Sequence, residues 1–230
     1  MLSTVFGLLL AATTHAPVLP MPLGALTDAD RALVQPVVER VTLRREYPPR
    51  TFRGRREQFE FLMDNIEACS VLSESLGLIR YRVTEVSPAR FYGDDREGAR
   101  GYLQQVYCAE GVRVYYVEGS QRGAFWARGR GVVIVQFSQT GPETMEYSGR
   151  MLVRIDNKIA ATLAKVFFVF VKHTVDRHFN SVLSQPITLC GLAAQDPTAL
   201  VQCIEQMPPE DYRQLAPFAA LLRRAERDQR

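Results

Sequence analysis

Three groupings of residues in this chain have the types that carry chemistry. His173 and His178 flank Asp176 in VKHTVDRHF, a set suited to metal binding or proton transfer. The step between the histidines is wrong for it. Five residues on a helix turn two imidazoles well apart, whereas the four-residue step of HExxH stacks them on one face. They read as exposed or capping histidines. Glu85 and Glu118 share the alternation of inward-facing residues in strand-like segments, which makes each a candidate general acid of raised pKa. Strand ends reach water, so neither is assigned a catalytic role. Cys69, Cys108, Cys190 and Cys203 contain no CxxC and lie too far apart for a local zinc knuckle. No nucleophile elbow and no phosphate-cradling glycine loop occurs, and GARG and RGRG read as turns. The sequence calls for no catalytic residue, metal or cofactor.

An even number of cysteines fits an oxidising compartment, where four can pair in three ways. A bridge between Cys190 and Cys203 would close a short loop and stabilise by roughly 3 kcal/mol. The first residues point the same way. MLSTVFGLLLAATTHA, residues 1–16, has the apolar core and small-residue end of an export signal or N-terminal anchor, without a Lys or Arg ahead of the core. PVLPMPLG follows as a proline-rich linker. The expected location is the periplasm or outside the cell.

The chain has 230 residues, 47% hydrophobic and 23% charged, the balance of one folded domain with appendages. A net charge of +3 gives no argument for nucleic acid, which calls for a concentrated basic face. One stretch is strongly basic. RREYPPRTFRGRR, Arg44 to Arg56, holds six arginines, two prolines and a glycine and reads as an extended solvated loop with the charge to touch an anionic surface such as lipid headgroups.

The elements follow from periodicity. Thr27 and Asp28 open a helical segment interrupted by Pro36, and VTLRRE alternates like a short strand. A helix from Glu57 to Leu76 places Phe59, Leu62, Met63, Ile66 and Cys69 on one face, with Gly77 as its stop. From Ile79 to Ile155 the period becomes two, in IRYRVTEV, GYLQQVYC, VRVYYVEG, GVVIVQFS and ETMEYSGRMLVRI, with AFWAR a candidate sixth strand. The links are too short for parallel crossovers, so the sheet is an antiparallel meander. Tyr81, Val83, Val112, Val114, Tyr116, Val133, Val135, Phe137, Met145, Tyr147, Met151 and Val153 are assigned to its inner face. Arg80, Arg82, Arg113, Gln136, Glu146, Arg150 and Arg154 are assigned to water.

AKVFFVFVKHTVDRHF belongs to a helix running from Asn157 to about Ser184. Ile159, Leu163, Val166, Phe167, Phe170 and Thr174 fall on one side; Phe168, Val171, Val175, Phe179 and Val182 fall on the other. A helix apolar on both sides is buried on both sides. Its apolar run is too short for a membrane span and Lys165 interrupts it. The tail from Asp196 adds two helical pieces, the first opened by Asp196 and Pro197.

This order, together with the pattern RVYYVEG…RGVVIVQF…YSGRMLVRIDN…VDRHF, resembles the START-like (SRPBCC, polyketide-cyclase-like) helix-grip superfamily. The resemblance covers roughly residues 37 to 185. It implies an α+β fold in which a curved antiparallel sheet grips a long C-terminal helix, with a cavity between them for an apolar ligand. The domain organisation is then residues 1–16 signal, 17–36 linker and short helix, 37–185 helix-grip domain and 186–230 helical tail. The inward set that would line the cavity is Tyr81, Tyr116, Phe137, Met145, Tyr147 and Met151 from the sheet, with Phe167 and Phe170 from the helix; each is also a fit core residue. Trp126, in GAFWARGRG, is placed at a cavity mouth or over a sheet edge. The function implied is an exported carrier or binding protein for a hydrophobic small molecule such as a lipid. Two rivals stand beside it: a cyclase, dehydratase or hydrolase on the same scaffold, and a structural protein whose interior is filled.

Overall fold

The computed structural model describes residues 23–96, 98–121, 127–156 and 183–228. After a 3-10 turn at Leu23–Ala25, the order is α1 (Asp28–Glu39), β1 (Leu43–Arg53), α2 (Arg56–Asp64), α3 (Ile66–Ser75), then β2 (Val83–Ser87), β3 (Arg90–Asp94), β4 (Ala99–Ala109), β5 (Val112–Gln121), β6 (Ala127–Gly141) and β7 (Thr144–Ile155). Residues 183–195 form α4, followed by α5 (Pro197–Glu205) and α6 (Pro209–Asp228). The seven strands make one sheet in the order β1-β7-β6-β5-β4-β3-β2, every pair antiparallel. This is an α+β fold with an open, curved antiparallel sheet, as expected of a helix-grip protein. Because β1 and β2 lie at opposite edges, the chain between them must cross the sheet, and α2 and α3 make that crossing. The helix expected from Asn157, with Phe167, Phe170, His173, Asp176 and His178 on it, lies outside the described residues, as do the N-terminal signal and Trp126.

The helix ends follow local chemistry. Thr27 caps α1 by accepting the Asp30 amide at 3.1 Å, and Asp196 caps α5 by accepting the Ala199 amide at 2.9 Å, each filling one of the orphan donors of a first turn. The single helix expected over residues 57–76 is broken at Asn65, whose backbone leaves the helical region at φ −117°, ψ 67°. Gly77 ends α3 at φ +70°, where a side chain would be strained.

Both faces of the sheet are covered. On one, Tyr115, Val135, Phe137 and Met145 join Phe59, Leu62 and Leu72 of α2 and α3, Leu189 of α4, Ile204 of α5 and Phe218 of α6 in a single core. On the other, Val106, Val114, Tyr116, Val132, Ile134 and Leu152 pack beneath Val34 and Val37 of α1. The face expected to meet water is therefore largely a second core. Strand β5 also runs in opposite parity to the expectation. Val114 pairs with Ile134 and Tyr115 with Val133, so Val112, Val114 and Tyr116 face α1, and Arg113 and Tyr115 face the main core. The cause is Arg113. It points inward with a side chain only 5% exposed, gripping both carboxylate oxygens of Asp64 at 2.5 and 2.8 Å with its guanidinium 5.4 Å from the centre of the Phe137 ring.

The short strand expected at VTLRRE is the start of β1, which runs on through most of the basic segment expected as a loop; it pairs with β7 and is shifted in register between Tyr47 and Arg50, where Pro48 and Pro49 cannot donate ladder bonds. A short strand missed from the sequence, β3, joins the meander. All four cysteines are free, so the expected Cys190–Cys203 bridge is not formed. Cys190 is fully buried instead, on a helix packed so tightly against the β1–α2 junction that a Cβ on Gly54 would lie 2.8 Å from the Cys190 Cβ. Among the described residues no helix is long and apolar enough to cross a membrane.

Candidate functional site

A row of directly paired glycines crosses four strands: Gly93 with Gly101, Gly101 with Gly119, and Gly119 with Gly129. All four lie on the face of Tyr115 and Phe137. A Cβ built on Gly101 would fall 2.3 Å from the Glu118 carbonyl oxygen, and one on Gly119 would fall 2.7 Å from that of Arg100. Approaches that short arise when neighbouring strands fold toward this face, so Gly101 and Gly119 mark a crease between β4 and β5 that makes it concave, with Gly93 and Gly129 continuing the row on either side. Gly131, one pair further along the face, admits the Val117 side chain, whose Cγ2 would lie 2.8 Å from a Cβ there.

The crease divides the concave surface into unequal halves. Away from it, Phe137 meets the Phe59 ring at 5.0 Å and Met145 is completely buried. Beside it, Leu103, Val117, Val133, Met151 and Val153 keep part of their apolar surface accessible although they stand on the middle strands. Arg113, Asp64 and Gln105 occupy the boundary, with Gln105 donating to Asp64 at 2.9 Å; burial works to lower the Arg113 pKa, but Asp64 outweighs it and the net shift is upward. Tyr115 donates its hydroxyl to the Met63 carbonyl at 2.9 Å, and burial raises its pKa strongly. These groups have their hydrogen bonds spent and close the filled half.

Of the residues expected to line a cavity, Phe137, Met145, Tyr147 and Met151 share the concave face. Phe137 and Met145 are core, whereas Tyr147 and Met151 are half-buried. Tyr116 is on the opposite face and 4% exposed. Its hydroxyl donates to Glu118 at 3.3 Å, and burial, with the Glu118 charge, pushes its pKa up to about 12. Tyr81 precedes β2 and lines a surface depression of about 520 Å³ with Glu74, Arg82 and Tyr92. Glu118 also lies on the α1 face, held by Arg90 at 2.8 Å. Glu85 is exposed and accepts the Ala89 amide at 3.0 Å. Glu118 is thus turned away from the creased half, whereas Glu85, paired with Phe91 and through it with Leu103, shares that face at the sheet's β2 edge; no metal-binding cluster occurs among the described residues.

Sequence reasoning placed Val133 on the inner face, as the structure does, but missed Leu103 and Val117 beside it. The signal was present in three strands, where a glycine stands two residues from an apolar partner of the same parity: Gly101 and Leu103, Val117 and Gly119, Gly131 and Val133.

No family model matches the chain, and no curated protein does. Among solved structures it is similar to a conserved protein from Geobacillus kaustophilus at 10% identity and a TM-score of 0.42, covering 63% of this chain and 95% of that one. It is similar to Ara h 8.0201 at 9% identity and 0.42, covering 64% and 98%. A third likeness is to BexL, the di-domain ARO/CYC of the BE-7585A biosynthetic pathway, at 16% identity and 0.40, covering 68% and 53%. At that distance the fold assignment rests on the sheet order and the crossing helices of the chain itself.

Proposed function

We propose that the chain binds or carries a hydrophobic small molecule of lipid type against the creased half of the concave face, and that it does so after export. The observation that supports binding is the accessible apolar surface of Leu103, Val117, Val133, Met151 and Val153 in the middle of the sheet, where side chains are ordinarily shut away. Covering about 200 Å² of such surface contributes roughly 5 kcal/mol before the costs of association. No covalent step is part of this reading.

Native mass spectrometry and solvent extraction of the purified chain test it. An apolar molecule should accompany the protein, and Val133→Trp, which places a large ring on the creased half, should expel it while leaving the fold intact. Protein that carries nothing and fails to take up a fluorescent fatty acid sinks the binding role. Export draws its support from residues 1–16 alone, since the cysteines are unpaired; sequencing the mature N-terminus decides it, and a cytoplasmic product that still begins at Met1 overturns it.

A further inference from the structure

The two edges of the sheet are finished differently. At β2 the outer groups are occupied by α3: the Ser70 hydroxyl accepts the Val83 amide at 3.0 Å and the Glu67 carboxylate accepts the Glu85 amide at 3.1 Å. This edge is shut to strand pairing by hydrogen bonds and without excess charge. The β1 edge relies on Pro48, Pro49 and arginine.

Part of the arginine charge there is engaged, and Arg45 lies over the Tyr47 ring at 5.9 Å. Arg53 and Arg55 share Glu143 at 3.3 and 3.8 Å, and Arg56 pairs with Glu60 and Glu110 at 3.1 and 3.0 Å. Arg40, Arg44 and Arg50 are exposed and have no carboxylate partner among the described residues, while the exposed Glu46 is tied to Arg150 at 3.3 Å. Arg44 pairs across from Leu152 and Arg50 from Tyr147, residues on opposite faces of the sheet. Arg44 and Arg50 therefore straddle the strand and are presented at the edge, within about 20 Å along β1, and Arg40 stands just ahead of the strand at the C-terminal cap of α1. Edge protection alone does not require three unneutralised cations, as β2 demonstrates.

We infer that the β1 edge docks reversibly on an anionic lipid surface, with Arg40, Arg44 and Arg50 facing the headgroup phosphates. The inference goes beyond the cargo reading and does not depend on it. A flat anionic surface suits charges that leave a strand on both sides, and at about fivefold in partitioning for each arginine near such a surface the three together supply roughly a hundredfold preference.

Sedimentation of the full chain with phosphatidylcholine vesicles, with and without about 30 mol% phosphatidylglycerol, tests this. The anionic vesicles should be preferred roughly a hundredfold at about 0.05 M salt, and the preference should vanish near 0.5 M. Arg44→Ala with Arg50→Ala should lose about thirtyfold of it, with an unchanged unfolding midpoint. Arg80→Ala with Arg224→Ala, the same change in net charge at exposed sites elsewhere, should lose a few-fold at most. Equal losses in both pairs, no preference for anionic vesicles, or binding to a short oligonucleotide without binding to vesicles would each overturn the proposal. Cargo extracted from a chain that ignores vesicles leaves the carrier reading standing and this one refuted.

Discussion

Met145 and Met151 stand six residues apart on β7, on the same face of the sheet, in different surroundings. Met145 is sealed among α2, α4 and the aromatic rings of β1 and β6, whereas Met151 remains half-accessible beside the glycine crease. One strand thus serves as sealed core at one end and as partly accessible apolar surface at the other. The difference comes from what the neighbouring strands contribute. Phe52 and Phe137 fill space; Gly101, Gly119 and Gly129 give none and let the sheet bend. Under the proposed function, stability and binding would be drawn from separate ends of one surface.

The largest effect is expected where the filled half is closed by charge. Asp64→Ala leaves the Arg113 guanidinium buried with only Glu60, at 4.0 Å, as a carboxylate neighbour, and should cost about 4 kcal/mol. Urea unfolding measures it. A loss below about 1 kcal/mol would mean that water reaches Arg113 freely and that the boundary between the halves is not dry. Next comes Met145→Ala, expected to cost about 3 kcal/mol through lost transfer energy and a residual cavity. If that variant unfolds with the wild type, the filled half is not the core.

The filled half also hides two thiols. Burial pushes Cys69 up to about 12, with Ser73 acting weakly the other way, and it raises Cys190 as well. Both stay protonated in the folded chain while the unfolded chain releases its protons near pH 8.5. The folded state then binds more protons, so its stability is full below about pH 8.5 and declines as pH rises toward about 12. At pH 10 the decline should be about 2 kcal/mol per thiol. Denaturation between pH 8 and 10 measures it, and Cys69→Ala should remove about half of the decline, leaving the part due to Cys190.

Much of this architecture could be read in advance. Alternation located β4 to β7, Gly77 and the Asp196–Pro197 pair marked helix ends, and short links dictated an antiparallel sheet. What stayed hidden was governed by partners distant in sequence. Arg113 reads as a solvent residue until Asp64, on another element, neutralises it, and that one charge inverted the assignment of β5 and carried Tyr116 to the wrong face. Two-sided burial was invisible for a related reason: α1 covers Val114, Val132 and Ile134 only through the tertiary fold. β1 was legible only at its start, in VTLRRE; the rest was masked by its own arginines and prolines, which are the composition of a loop and also of a protected edge strand. The candidate site was half legible. Val133, Met151 and Val153 were assigned to the inner face from parity, but the crease depends on glycines of neighbouring strands falling in one row, which pairing register alone reveals.

Gly101→Ala probes the crease itself. The added methyl would press on the Glu118 carbonyl, a backbone atom that cannot rotate away, so the sheet must open; a cost of about 2 kcal/mol is expected. The informative readout is binding. Flattening the crease should weaken uptake of a fluorescent fatty acid in a variant that is still folded, whereas an unchanged affinity would place any ligand elsewhere.

Met151→Ala is expected to cost the least, about 1 kcal/mol or below, because its side chain surrenders little burial and leaves no sealed void. Its value lies in the contrast with Met145. A substitution that removes the same atoms from the same strand and face should cost about three times less in the apo chain. If an apolar ligand occupies the creased half, the two variants should differ in the opposite sense in binding: Met151→Ala should lower affinity with stability nearly unchanged, and Met145→Ala should lower stability with affinity nearly unchanged. Parallel losses in both quantities for both variants would mean that the concave face is one continuous core, and the division drawn by the glycines would have no functional content.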